Sequence, residues 1–145
     1  MLRLFKRNER KALSQSRMDA EARQALMQAE TAAQMIKLAG RTQDLAPLKQ
    51  AEESLMMARN YYTFEDTPVE IGMVQAALGD MLFSLGRKTS DENAIIRARE
   101  AYRAAITLAS LHGEGAQRED LRDKLRATER FMGLSKPPPP LFRVA

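Results

Sequence analysis

Leu38-Ala39-Gly40-Arg41 and Ser84-Leu85-Gly86-Arg87 carry nearly the same text 46 positions apart, and a third glycine, Gly133, follows Gly86 after 47 more. Reading forward from the first two glycines with one inserted residue, Thr42, Asp44, Leu48, Ala51, Glu53 and Ala58 correspond to Thr89, Asp91, Ile95, Ala98, Glu100 and Ala105. Reading backward, Leu78, Leu85 and Gly86 return as Leu125, Met132 and Gly133. A fixed beat of this kind predicts helical hairpins stacked side by side, each covering its neighbour's apolar face.

The punctuation between the repeats agrees. Residues 2–39 hold neither glycine nor proline, and Ala22, Ala25, Ala29, Ala32, Ala33 and Ile36 fall at three- and four-residue steps, which is a helical stripe. Gly40 is read as its left-handed cap. Asp44 and Pro47 open a second helix near residue 45, with Leu48, Ala51, Leu55 and Ala58 inward and Tyr61, Tyr62 and Phe64 at its end. Thr67-Pro68-Val69-Glu70 is read as a capping box before a third helix carrying Val74, Leu78, Met81, Leu82 and Leu85 and ending at Gly86. A fourth helix starts at Ser90 or Asp91 and runs through Ile95, Ala98, Tyr102, Ala105, Ile106 and Ala109 to Gly113. A fifth spans about Gln117 to Met132. Nothing alternates like a strand, so the expected class is all-α.

Composition limits the chemistry. The 145 residues suit one domain or a short repeat array, and 44% hydrophobic with 29% charged residues fits a globular chain. With no cysteine and a single histidine, His112, there is no thiol chemistry, no disulfide framework and no histidine pair for a metal. His112 stands in a helix-end turn, Leu111-His112-Gly113-Glu114-Gly115, and is expected to interact with the last carbonyls of its helix. Glu52 with Glu53, and Asp91 with Glu92, are adjacent and so point to different sides of a helix. No catalytic residue, metal site or cofactor is expected.

Net charge is +4, but it is unevenly spread. Residues 1–17 carry +5, residues 18–135 carry −3, and residues 136–145 carry +2. The expected organisation is a basic N-terminal extension over 1–17, a helical repeat domain over 18–134 and a Pro-rich tail over 135–145. The first residues lack the apolar core of an export signal, so the expected compartment is the cytoplasm, with a membrane surface as the alternative.

At Leu78-Gly79 followed by Leu82, and at Ala98, Tyr102 and Ala105, the chain resembles the tetratricopeptide repeat family. The first set matches the large-small-large signature of that family's first helix. The second matches the alanine, aromatic, alanine spacing of its second helix. Ala32, Ala33, Met35 and Ile36 with Ala51, Leu55 and Ala58 form a more degenerate copy, and Leu125 to Gly133 a further first helix. The likeness covers about residues 22–133. The family period is 34 residues, so the loop between paired helices is expected to be longer here by six or seven. It is similar to a longer-loop bacterial variant, with Gln75 at a common tryptophan position and Ser110 at that of the closing proline.

The resemblance implies a concave groove lined by first helices: Met27, Glu30, Gln34 and Lys37; Met73, Ala76, Asp80 and Phe83; Asp120, Asp123, Ala127 and Arg130. It implies a non-enzymatic interaction module, an adaptor or scaffold that takes a peptide or helix of a partner. Methionine adapts to varied side chains, and the acids favour a basic or amphipathic segment. Ala76 and Asp80 do not match the family's lysine–asparagine clamp for a carboxylate terminus. Apolar edges of a short array also make self-association an expectation.

The N-terminal stretch is read as a solvated extension, as a helix that contacts a partner or this protein's own acidic groove, or as a surface anchor. Leu2, Leu4 and Phe5 could enter a lipid interface while Arg3, Lys6, Arg7, Arg10 and Lys11 meet anionic headgroups. Nucleic acid is disfavoured, since these bases lack interleaved aromatics for stacking. In the tail, Pro137 to Pro140 impose polyproline II with Leu141 and Phe142 at the tip, either mobile or folded back over an uncovered apolar end of the array.

Overall fold

The computed structural model describes residues 2–63 and 67–133, with side chains from Lys6 onward. The described residues form α1 (Leu2–Thr42), α2 (Ala46–Ala58), a single 3-10 turn (Arg59–Tyr61), α3 (Val69–Thr89), α4 (Glu92–Leu111) and α5 (Gly115–Phe131). No strand is present among them, so the chain is all-α. Phe64 and the Pro-rich tail lie outside the described residues.

The helices form an open succession of packed neighbours. α1 packs on α2 and α3, α3 packs on α4 and touches α2, and α4 packs on α5. The two outer helices, α1 and α5, share no substantial interface. One apolar core runs through α1 to α4, from Ala32 and Ile36 through Leu48 and Leu55 to Leu78, Leu82 and Ala98. A smaller cluster of Tyr102, Ala105, Ala109 and Leu121 ties α5 to α4. The equivalent alanines Ala51 and Ala98 are both fully buried in the larger core. Each fully buried leucine contributes about 1.5–3 kcal/mol relative to exposure.

Several helix limits differ from the sequence reading. Gly40 and Gly86 are not caps; both lie inside helices, and the left-handed positions fall later, at Gln43 and Ser90. These glycines serve close approach instead. A Cβ on Gly40 would stand 2.9 Å from Met81 Cε, and one on Gly86 would stand 2.8 Å from Ile95 Cδ1. Gly113 and Gly133 do have positive φ at the ends of α4 and α5. The capping box is also corrected: the extended Pro68 precedes α3 without a side-chain cap, and the Thr67 hydroxyl donates to the Thr63 carbonyl at 2.8 Å. Asp44 accepts from the Ala46 amide at 3.0 Å, and Asp91 caps α4 by accepting from the Ala94 amide at 3.1 Å.

The residues beyond a 34-residue period are not in a long intra-hairpin loop. α3 ends at Thr89 and α4 begins at Glu92, so the turn is tight and the extra length is helix. The period of 46 or 47 residues exceeds 34 by 12 or 13, and the long α3 and α4, of 21 and 20 residues, take up this length between them.

The two outer ends are unlike. α1 runs unbroken through position 17; residues 6–21 are exposed, and the first buried side chain is Ala25. At the other end α5 buries only Leu121 and Thr128, and ion pairs Arg122–Glu119 and Arg126–Asp123 dress its exposed surface. The expected uncovered apolar end is therefore largely absent there, because a charged helix covers it; Phe131 remains 56% exposed.

Two glycines of α3 give a paired test. A Cβ at Gly79 would lie 2.7 Å from the Tyr102 ring, whereas one at Gly72 would meet Leu108 at an ordinary 3.5 Å. Chemical denaturation should show Gly79→Ala destabilised by about 1–3 kcal/mol through overpacking. Gly72→Ala should be stabilised by up to about 1 kcal/mol through helix propensity.

Candidate functional site

The face expected from the first helices is only partly open. On α1, Met27 is 58% exposed, and Glu30, Gln34 and Lys37 are exposed beside it. On α3, Met73 is also 58% exposed, but the next members turn toward α4 and α5. Ala76 packs against the cluster around Tyr102 and Leu121. Asp80 accepts the Tyr102 hydroxyl at 2.6 Å and the Lys124 ammonium at 3.2 Å. Phe83 meets Phe131 edge to face at 5.8 Å, with the Arg87 guanidinium 4.5 Å above its ring. On α5, Asp120, Asp123 and Arg130 are exposed and Ala127 is half-buried.

The structure thus brings Ala76, Asp80, Phe83 and Asp120 together along a seam of α3, α4 and α5. It does not join Met27, Glu30, Gln34 or Lys37 to them by hydrogen bond or ion pair among the described residues. Most of the acids are already answered: Lys124 serves Asp80 and also Asp120 at 3.7 Å, and Arg126 serves Asp123 at 3.4 Å. Partial exposure makes each such pair worth about 0–1 kcal/mol.

The Tyr102 phenol is 2% exposed. Burial first, and then the hydrogen bond to the Asp80 carboxylate, push its ionisation well above the usual tyrosine range. It stays neutral and holds Asp80 in place.

A second feature is a cleft between α2 and α4. α2 ends at Ala58, while α4 continues to Leu111, so the last turns of α4, packed on α3 and α5, have no helix on their α2 side. There the chain leaves the 3-10 turn with Tyr62 extended, and a cleft of about 510 Å³ opens between Arg59, Tyr62 and Thr63 on one side and Ala104, Thr107 and Leu108 on the other. It continues into a trough of about 280 Å³ between α2 and α4, bounded by Met56, Leu78 and Ala101. The Glu52–Arg97 ion pair crosses that trough.

Gln75 lines both compartments and is 7% exposed. Its carboxamide has no hydrogen bond among the described residues. The sequence reading names it only as a departure at a common tryptophan position of the repeat. The available signal was its register: Ile71, Gln75, Leu78 and Leu82 form one buried stripe with a single polar member.

The remaining expectations fall elsewhere. Lys6, Arg7, Arg10 and Lys11 are exposed on α1 and form no ion pair among the described residues. Leu2, Arg3, Leu4 and Phe5 lie on the same helix, and their side chains fall outside the described set. His112 is exposed at the end of α4, where its backbone amide, rather than its ring, bonds the Leu108 carbonyl at 3.2 Å. Among the described residues no three of His, Cys, Asp or Glu are grouped to hold a metal. α3 is long and apolar enough to cross a bilayer by length and composition, and in this fold it is the central packed helix. No family model, curated protein or solved structure matches the chain.

The Tyr102 environment sets a sign for alkaline stability. Unfolded tyrosine ionises near pH 10, while the folded phenol holds its proton. Stability is therefore complete below about pH 10 and falls above it, by about 1.4 kcal/mol per unit from this group. In urea titrations, the wild type should lose more stability than Tyr102→Phe between about pH 9.5 and 11. Equal losses would show that the phenol is not held neutral.

Proposed function

We propose that the chain is a non-enzymatic protein–protein interaction module, a tetratricopeptide-like adaptor or scaffold that receives an amphipathic segment of a partner on the face formed by its first helices. The observation that carries this reading is the open succession of packed helices, α1 on α2 and α3, α3 on α4 and α4 on α5, with α1 and α5 apart. That arrangement leaves a continuous side surface instead of a closed bundle. The motif residues support it as well. The small Gly79 and the aromatic Tyr102, drawn from the two halves of the repeat signature, are in direct contact.

Binding energy on that face would come from desolvating Met27 and Met73. Because the acids at 80, 120 and 123 already have cationic neighbours, their charge selects weakly, and an amphipathic partner fits better than a strongly basic one. The exposed acid Glu30 forms no ion pair among the described residues. Self-association through the same methionines is the homotypic form of this proposal.

The test uses exposed positions, so that folding is preserved. Met27→Glu and Met73→Glu should each reduce capture of the native partner from cell extract at least about tenfold, which corresponds to about 1.4 kcal/mol. Met57→Glu, on an exposed site of α2, should capture normally. Equal capture by all three variants would remove the first-helix face from the reading.

One observation favours a second reading. The outer part of α1 is exposed on all sides from Lys6 to Glu21, with Lys6, Arg7, Arg10 and Lys11 free of ion pairs among the described residues. This supports a peripheral contact with anionic lipid, placing the adaptor at a membrane surface. The full chain should then sediment with phosphatidylserine vesicles but not with phosphatidylcholine vesicles. Reversing those four charges to Glu should abolish the effect, and a wild type that stays in the supernatant ends this reading.

A further inference from the structure

The cleft between α2 and α4 has the chemistry of a second binding site, separate from the first-helix face. Gln75 sits at its floor, more than nine-tenths buried. The Gln75 carboxamide lines both compartments of the cleft and has no hydrogen bond among the described residues, and a leucine in this stripe would continue the run of Ile71, Leu78 and Leu82. The amide presents an acceptor and two donors on adjacent atoms. A peptide group offers the complementary carbonyl and N–H.

The surroundings narrow the choice. Leu108 and Ala104 supply an apolar wall. Among the described residues Arg59 is the one charged side chain lining the larger compartment, and it forms no ion pair among them. The charges farther along are compensated: Glu52 is bound by Arg97, and Glu100 lies 3.4 Å from Arg103. From Arg97 to Leu108 the cleft follows α4 for about 16 Å at 1.5 Å per residue. That length suits about five residues of extended chain at about 3.3 Å each.

We infer that the α2–α4 cleft binds a short extended peptide with apolar side chains and one carboxylate, its backbone paired with the Gln75 carboxamide and its carboxylate with Arg59. Apolar side chains would fill the space beside Ala104 and Leu108. The volume lies within the range of about 300–1,000 Å³ usual for specific ligand sites. This site does not depend on the methionine face, since its lining comes from α2, the segment after it, α4 and the opposite side of α3.

The test is selection of a phage-displayed library of random seven-residue peptides against the full chain. Enriched peptides should be apolar with one Asp or Glu. A synthetic copy of the best one should bind Gln75→Leu and Arg59→Glu at least about tenfold more weakly than wild type. Gln75→Leu removes the amide and continues the buried apolar stripe of Ile71, Leu78 and Leu82, so its melting temperature should equal or exceed the wild-type value, separating lost binding from lost folding. Met27→Glu and Met73→Glu should bind the same peptide normally; failure of those two variants to capture a partner therefore leaves this inference standing, and the converse also holds. The inference is overturned if no peptide is enriched, if the enriched peptides bind Gln75→Leu and Arg59→Glu as tightly as wild type, or if the cleft takes decanoate and no peptide.

Discussion

The approach of α3 to α4 at Gly79 is the constraint on which the rest depends. With no side chain at that position, the Tyr102 ring lies where a Cβ would be only 2.7 Å away. The ring is then held at its far end by Asp80. α3 can therefore present one side to α1 and α2 and another to α4, and it becomes the middle layer of the array. Gly40 against Met81 and Gly86 against Ile95 extend the same solution to both its flanks. Close-packed interiors tolerate little change in volume at such points, so the spacing of helices is set by a few absent atoms more than by the many leucines around them.

The existence and order of the helices were legible because alanines and leucines fall at helical steps without interruption by strand-like alternation. The ends at Gly113 and Gly133 were legible too, since nothing approaches either glycine and only its positive φ needs explaining. Gly40 and Gly86 were misread for a physical reason: a helix cap and a close helix crossing both select glycine, and one sequence does not separate the two. Gln43 and Ser90 took the left-handed turns instead, and neither residue type announces that role strongly. The excess over a 34-residue period was legible as length but not as helix.

The candidate sites were less legible. Counting acids along the first-helix face suggested a negative groove, yet Lys124 and Arg126 are interleaved on α5 at neighbouring turns and answer three of them. Net charge along one face misleads when cations on the same helix reach across it. The α2–α4 cleft arises from a mismatch in helix length, α2 stopping while α4 continues, which only the tertiary arrangement reveals. Gln75, as the lone polar member of a buried stripe, was its one sequence-level trace.

α1 has a mechanical consequence that its length makes concrete. Its 41 residues extend about 60 Å at 1.5 Å each, and only the half beyond Ala22 is braced by the body of the protein. The outer half is a cantilever whose stiffness comes from its own backbone bonds, without the tertiary packing that supplies most helix stability in proteins. Heating should unwind this unbraced part before the braced part yields. A single melting temperature would then average two mechanically distinct bodies.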